Sequence, residues 1–137
     1  MRRLLAAASI AVIAAAAGRA AAGTAPQRIA FGGTGSLGTY TVTIEPDGAV
    51  HAAGAGSRAR TGVSQLNRVE LAALERAAVH AGFASLPART RCRGAGPRSA
   101  TWILIGARKV TVVGKCLPVY QRLFRSLVAA TQLIGAS

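Results

Sequence analysis

The stretch LNRVELAALERAAVHAGF, residues 66–83, predicts a helix whose two ends are both marked. Asn67 suits the N-cap and Glu70 the third helical position, so each side chain can accept a hydrogen bond from the other residue's backbone amide. Leu66 and Leu71 stand at the two positions of a hydrophobic staple, which fixes how the chain enters the helix.

The end of this helix is marked by Gly82, which can adopt the left-handed conformation that commonly follows a helix. Phe83 is expected to fold back as the apolar contact of that motif. The helix therefore runs from about Arg68 to Ala81. Its buried residues are predicted to be Val69, Leu71, Leu74 and Ala78.

A β-hairpin is predicted before the helix, in TYTVTIEPDGAVHAA, residues 39–53. Strict alternation places Tyr40, Val42 and Ile44 on one buried face and the threonines on the other. Pro46-Asp47-Gly48 has the composition of a turn, and 49–53 returns as the partner strand. A brief strand at 28–31 precedes the hairpin.

Two further strands are predicted after the helix, at 101–105 (TWILI) and 110–113 (VTVV), joined by residues 106–109. Their apolar character favours burial on both faces, or on one face under a helix. Residues 54–63 and 85–99 are predicted to be loops, the second of them basic.

Pro118 suits the first turn of a second helix, and Gly135 would end it. Residues at helical spacing are predicted to be buried, namely Val119, Tyr120, Leu123, Phe124, Leu127 and Val128. The order β-β-β-α-β-β-α predicts an α+β fold, with two helices packed on one face of a mainly antiparallel sheet.

Gly33, Gly35 and Gly38 form a literal G-x-G-x-x-G, a spacing found in phosphate-binding loops. A dinucleotide-binding loop leads into a helix, whereas this one leads into a predicted strand. The spacing also resembles a kinase glycine-rich loop, but no lysine strand, H-R-D or D-F-G follows. We interpret the motif as turn chemistry, with Gly35, Ser36 and Leu37 as candidate partner contacts.

Residues 1–22 predict a secretory signal peptide, and 23–137 a single small domain. Two arginines precede an apolar run of fourteen residues, 4–17, interrupted only by Ser9, and Ala22 ends an A-x-A cleavage site. The run is shorter than the ~20 residues that span a bilayer, which argues against a retained anchor. Export predicts a secreted, periplasmic or envelope location.

Cys92 and Cys116 are the only cysteines, and an even pair in an exported chain predicts one disulfide. Closing a loop of this length stabilises a fold by about 3 kcal/mol in the chain-entropy account. The alternative is a metal site that adds His51 and His80, but these spacings match no zinc motif. We expect neither a metal nor a cofactor.

The acids and bases of the chain argue against an enzyme. Glu45 and Asp47 belong to the predicted turn, Glu70 caps the helix, and Glu75 lies on its outer side. A Ser-His-Asp triad would depend on Asp47, the only aspartate, and no G-x-S-x-G motif is present. No catalytic residue is assigned.

The predicted domain is strongly basic. Without the leader it keeps fourteen basic residues against four acidic ones, and twelve of the fourteen are arginine. Arg89, Arg91 and Arg93 concentrate this charge and are further candidate partner contacts. The charge favours an acidic protein or an anionic envelope polymer. Specific nucleic-acid binding is disfavoured because the aromatic residues fall mostly on predicted buried faces.

Four segments resemble a group of small exported bacterial proteins: FGGTG (31–35), TVTIEPDG (41–48), LAALERAAVHAGFASLP (71–87) and PVYQRLFRSL (118–127). The same plan is similar to emfourin-type proteins, small inhibitors of thermolysin-like metallopeptidases. The resemblance implies this fold and a peptidase as partner, and it assigns no inhibitory residue.

These observations lead to two functional hypotheses. The first is an exported, non-enzymatic binding module of unknown partner, with peptidase inhibition as one form of it. The second is a basic envelope-associated protein that adsorbs to anionic polymers or to a membrane surface.

Overall fold

The computed structural model describes residues 26–35, 38–54 and 58–134, and the predicted leader lies outside this part. Its strands are β1 (Ile29–Gly35), β2 (Gly38–Ile44), β3 (Val50–Ala53), β4 (Arg60–Thr61), β5 (Arg89–Arg91), β6 (Ala100–Ile105), β7 (Arg108–Val113) and β8 (Leu133–Ile134). Its helices are α1 (Arg68–His80) and α2 (Pro118–Thr131). Neither of these two helices has the length and apolar character needed to cross a membrane, a finding that covers the described residues.

Six of these strands form one sheet in the order β3-β2-β1-β6-β7-β5. Its neighbours are antiparallel, apart from β5, which runs parallel to β7 at one edge. The short strands β4 and β8 pair separately. The predicted α+β class with a mainly antiparallel sheet is confirmed, although β4, β5 and β8 were not in the predicted order.

The core lies between one face of this sheet and the two helices. Phe31 of the central strand β1 is fully buried and pairs with Val42 on one side and Ile103 on the other. The Phe124 ring of α2 meets the Phe31 ring edge to face, with 5.6 Å between their centroids. On the same face, Thr101 Oγ1 and Tyr120 Oη share a hydrogen bond of 2.9 Å. The two helices therefore cover one face of the sheet, as predicted.

Helix α1 begins and ends as its sequence predicts. The Glu70 amide donates to Asn67 Oδ1 at 2.9 Å, and the Asn67 amide donates to Glu70 Oε1 at 3.4 Å. Gly82 follows the helix with φ of 64°. The prediction that Val69 is buried is wrong, since 74% of it is exposed. It lies two positions from Leu71, and residues two apart do not share a helix face. The other predicted core residues, Leu71, Leu74 and Ala78, are buried.

Helix α2 begins at Pro118 as predicted but ends earlier, at Thr131. Gln132 takes the left-handed conformation with φ of 51° and caps the helix. Gly135, the predicted end, lies outside the described residues. The Gly62 amide donates to the Gln132 carbonyl oxygen at 2.9 Å, and this contact aligns β8 with β4.

The buried side of α2 is narrower than predicted. Tyr120, Leu123 and Leu127 are buried as expected, together with Thr131, which the apolar pattern missed. Phe124 and Val128 are half-buried, and Val119 is exposed. Val119 precedes Tyr120 by one residue, about 100° around the helix, which turns it away from the sheet.

Both predicted loops contain short strands. The 54–63 segment includes β4, and the 85–99 segment includes β5 between 3-10 turns at 83–85 and 97–99. Strands of two or three residues are too short to show alternation. Their places come from pairing with β8 and β7, which are distant in the chain.

The glycine motif belongs to the β1–β2 hairpin. Gly33 lies inside β1, where it pairs with both β2 and β6, and Gly35 pairs with Gly38 at the end of the hairpin. The strand-turn-strand arrangement agrees with the prediction, but β1 continues through the glycines that were predicted to form a loop. Ser36 and Leu37 lie outside the described residues.

Cys92 and Cys116 form the predicted disulfide, with 5.6 Å between their Cα atoms. Cys92 directly follows β5, and its amide donates to the Val113 carbonyl oxygen of β7 at 2.8 Å. A Cβ at Gly114 would lie 2.6 Å from the Cys92 Cβ, so only glycine fits beside the bridge. The disulfide thus attaches the end of the edge strand β5 to the connection between β7 and α2, and neither thiol is free to bind a metal.

Candidate interaction surface on the open sheet face

The face of the six-stranded sheet that points away from the helices is the candidate site. Because side chains alternate along a strand, the neighbours of the core residues Phe31, Val42 and Ile103 point away from the core. We call this side the open face. Its main residues are Gly32, Thr39, Thr41, Thr43, His51, Arg89, Arg91, Trp102, Leu104, Lys109 and Thr111.

One half of the open face carries uncharged hydroxyl groups. Thr39, Thr41 and Thr43 of β2 alternate with buried residues, so they point outward as predicted. His51 of β3 lies opposite Thr43 and is exposed. This half offers hydrogen-bonding groups, and β2 and β3 contain no lysine or arginine.

The other half carries three cations, and we call it the basic half. In β5, Arg89 pairs with Thr111 and Arg91 pairs with Val113 of β7. Lys109 lies two residues before Thr111 and therefore points to the same side. Arg89, Arg91 and Lys109 are all exposed. The parallel pairing of β5 with β7 is what brings the charges of two separate segments together.

Trp102 lies between the two halves and is already packed. It pairs with Gly32 in the adjacent strand, and a Cβ at Gly32 would lie 2.8 Å from its ring. The indole thus covers the backbone at Gly32, which explains the need for glycine there. The Lys109 ammonium lies over the ring, 4.9 Å from its centroid, in a cation–π contact.

The four acidic residues lie away from the basic half. Asp47 accepts a hydrogen bond from the Ala49 amide within the β2–β3 turn, and Glu70 and Glu75 lie on α1. Glu45, just beyond β2, is paired with Arg28 at 2.9 Å. Glu45 is separated from β5 by four strand spacings, a distance of ~19 Å. This distance is more than twice the ~8 Å over which charges are screened at physiological salt. The basic half therefore carries charge of one sign.

Two tyrosines on the core side serve packing. Burial raises the pKa of Tyr120 to about 12, although the hydrogen bond with Thr101 acts in the opposite direction. Burial also raises the pKa of Tyr40. Both hydroxyls therefore keep their protons at neutral pH.

A groove with a volume of about 1030 Å³ lies on the helix side, between α1 and the sheet. Its walls include Ile29, Phe83 and Ile105. Arg108, at its rim, donates to the carbonyl oxygens of Phe83 and Leu86 and so ties the end of α1 to β7. Within the described residues there is no group of three His, Cys, Asp or Glu side chains that could hold a metal ion.

The structure separates the predicted partner contacts into two places. Arg89 and Arg91 lie on the open face, and Arg93 is exposed in the turn after Cys92, beyond the end of β5. Gly35 ends β1, three strand spacings from β5, ~14 Å. The hairpin end and the arginines are therefore two separate surfaces.

Sequence reasoning missed Lys109 and Trp102 as members of the site. Lys109 was assigned to a turn, whereas β7 begins at Arg108. Val110 and Val112 alternate with Lys109, Thr111 and Val113 along β7. This alternation could have placed Lys109 on the outer face.

No protein-family model matches this chain, and no curated protein matches it. The likeness to emfourin-type inhibitors therefore depends on the four quoted segments and stays a prediction.

Proposed function

We propose that this protein is a non-enzymatic binding module whose open face binds an anionic polymer. The observation that carries the proposal is the basic half, where Arg89, Arg91 and Lys109 share one face and no acidic residue adjoins them. Exposed cations of one sign attract a polyanion and release its counterions on binding.

Export is part of the proposal. Disulfides form and persist in oxidising compartments, and the Cys92–Cys116 bridge supports such a location. The anionic polymers of a cell envelope would be the partners available there.

The test compares two variants that remove the same charge from opposite sides of the molecule. The open-face variant carries Arg89→Gln, Arg91→Gln and Lys109→Gln. The helix-side control carries Arg76→Gln, Arg122→Gln and Arg125→Gln, three exposed positions on α1 and α2. Binding to a fluorescent sulfated polysaccharide is followed by anisotropy as the salt concentration rises.

Three contacts predict a salt slope of about −2 in a log–log plot, hence about twentyfold weaker binding between 50 and 200 mM salt. At about 1 kcal/mol for each cation, the open-face variant should bind about a hundredfold more weakly. The helix-side control should bind like the wild type. Equal weakening of both variants would show that net charge alone is responsible and would overturn the proposal.

Peptidase inhibition is the second candidate, favoured by the β1–β2 hairpin, whose Gly35–Gly38 pair lies beyond the last residues that pair with β6 and β3. A hairpin end of this kind can insert into a cleft. Purified protein assayed against thermolysin-like and serine peptidases should inhibit at micromolar concentration. Full peptidase activity at that concentration would remove this candidate and leave the open-face proposal standing.

A further inference from the structure

We propose that the open face recognises an extended, base-free phosphodiester chain, such as a polyol phosphate, lying along β7 and β5. The inference rests on the proposed function and specifies its ligand. It follows from the spacing of the three cations and from the state of Trp102.

The cations repeat at a fixed interval along the strands. Arg89 and Arg91 are two residues apart, which is about 6.6 Å in an extended strand. Thr111 of β7 lies beside Arg89, and Lys109 precedes Thr111 by two residues. Lys109 is therefore one two-residue step before Arg89 along the strand direction. The backbone positions of the three residues therefore form a row across two adjacent strands, with one residue for each step of about 6.6 Å. The Lys109 ammonium itself lies over Trp102 and joins this row only when it leaves the ring.

A phosphodiester polymer with three carbons between its phosphates has a matching repeat. Six single bonds join one phosphorus atom to the next, and the six backbone bonds of two extended residues span about 7 Å. Successive phosphates can thus meet Lys109, Arg89 and Arg91 in turn. Arginine adds a planar fork of donors that fits a phosphate in two-point contact.

Single-stranded nucleic acid has the same six-bond repeat, but the aromatic residues disfavour it. Its non-specific binders stack bases on exposed rings. Here Trp102 covers Gly32 on one side and carries the Lys109 ammonium over its ring. The other aromatic residues lie on the core side, where four are buried and Phe124 packs on Phe31 and Tyr120. A base would have to displace Lys109 before it could stack.

The open face also offers hydroxyls beside the charges. Thr111 lies between Trp102 and Arg89 at the same level of the sheet and is half-buried. Its hydroxyl can exchange hydrogen bonds with the hydroxyl of a polyol unit, which inorganic polyphosphate lacks. A polyol phosphate therefore matches the surface in both charge spacing and hydrogen bonding.

The experiment measures the affinity of the disulfide-bonded protein for four probes with equal numbers of charges. They are a glycerol phosphate oligomer, a thymidine oligonucleotide, inorganic polyphosphate and poly-glutamate. The wild type is compared with the open-face variant, the helix-side control, K109R and the single variants Arg89→Gln and Arg91→Gln. Circular dichroism confirms that each is folded.

The glycerol phosphate oligomer is expected to bind about tenfold more tightly than any other probe, although polyphosphate has the higher charge density. Arg89→Gln and Arg91→Gln should each weaken its binding about fivefold, and K109R should preserve it.

Tighter binding of the oligonucleotide, the polyphosphate or poly-glutamate would overturn the inference in favour of that ligand. Equal binding of all four probes, lost in the open-face variant, would overturn the spacing argument and leave the proposed function intact. Absence of binding to every probe would overturn both.

Discussion

Removing the Cys92–Cys116 disulfide, as in a C92A/C116A variant, is expected to destabilise the protein and to release β5 from the sheet. The bridge closes a loop with a sequence separation of 24 residues. Without it the unfolded chain regains the entropy of that loop, about 3 kcal/mol in the chain-entropy account. For a domain near this size, such a loss lowers the melting temperature by about 10–15 °C.

At the edge strand β5, the loss of local stability should exceed the loss of stability of the whole domain. β5 pairs with β7 over three residues only. At its start the Ala88 carbonyl oxygen accepts from the Thr111 amide, and at its end the chain is held by the amide of residue 92 and by the bridge itself. Hydrogen exchange should therefore accelerate at residues 90–92 in the variant, while the amides of α1 keep their relative protection.

Urea denaturation of the wild type, the variant and the wild type reduced with dithiothreitol would measure the stability, and exchange would be read by mass spectrometry. The reduced protein should match the variant, because both lack the same cross-link. A loss below ~1 kcal/mol with unchanged exchange at 90–92 would refute the view that the bridge anchors β5.

Three further expectations concern Gly32 on the open face, the N-cap of α1 and the buried Tyr120. Gly32→Ala should cost about 1–3 kcal/mol in urea denaturation, because its Cβ would overlap Trp102 and the neighbouring backbone. Asn67→Ala should cost about 1 kcal/mol by the same measurement, since one half of the capping box is lost. The pKa of Tyr120 is about 12 in the folded protein and about 10 in the unfolded chain. The ionisation of this group therefore leaves the free energy of unfolding unchanged well below pH 10 and lowers it between pH 10 and 12. Because half of the unfolded chains have already ionised this group at pH 10, stability should fall by about 1 kcal/mol between pH 10 and 11 through Tyr120, and Tyr120→Phe should remove that part of the fall.

Each of these expectations has a matched control. Gly96→Ala meets no atom within 4 Å and should leave stability unchanged; an equal cost at Gly32 and Gly96 would contradict the packing argument. Asn67→Asp keeps a capping oxygen and should restore most of the loss. Identical alkaline profiles for the wild type and Tyr120→Phe would show that Tyr120 does not carry the pH dependence.

The elements with strong local signals could be predicted from the sequence. Helix α1 carries its own caps at Asn67 and Gly82, and β2 alternates over its whole length, so neighbouring residues determine both. Val69 shows the limit of this reasoning, because an apolar residue near a helix start was counted as core although its angular position faces solvent.

The candidate site was harder to predict because its geometry is non-local. Arg89 and Lys109 come together only through the parallel pairing of a three-residue strand, which no local pattern announces. The arginines were singled out by their charge, but they were assigned to a loop with Arg93. The strand register that aligns two of them with Lys109 could not be predicted.

Trp102 is the only tryptophan of the chain, and it lies beneath Lys109 at the centre of the open face. Its intrinsic emission therefore reports on a single location. A ligand that draws the ammonium away would alter the polarity around the indole and shift the fluorescence spectrum, so the molecule can signal occupancy without an attached dye.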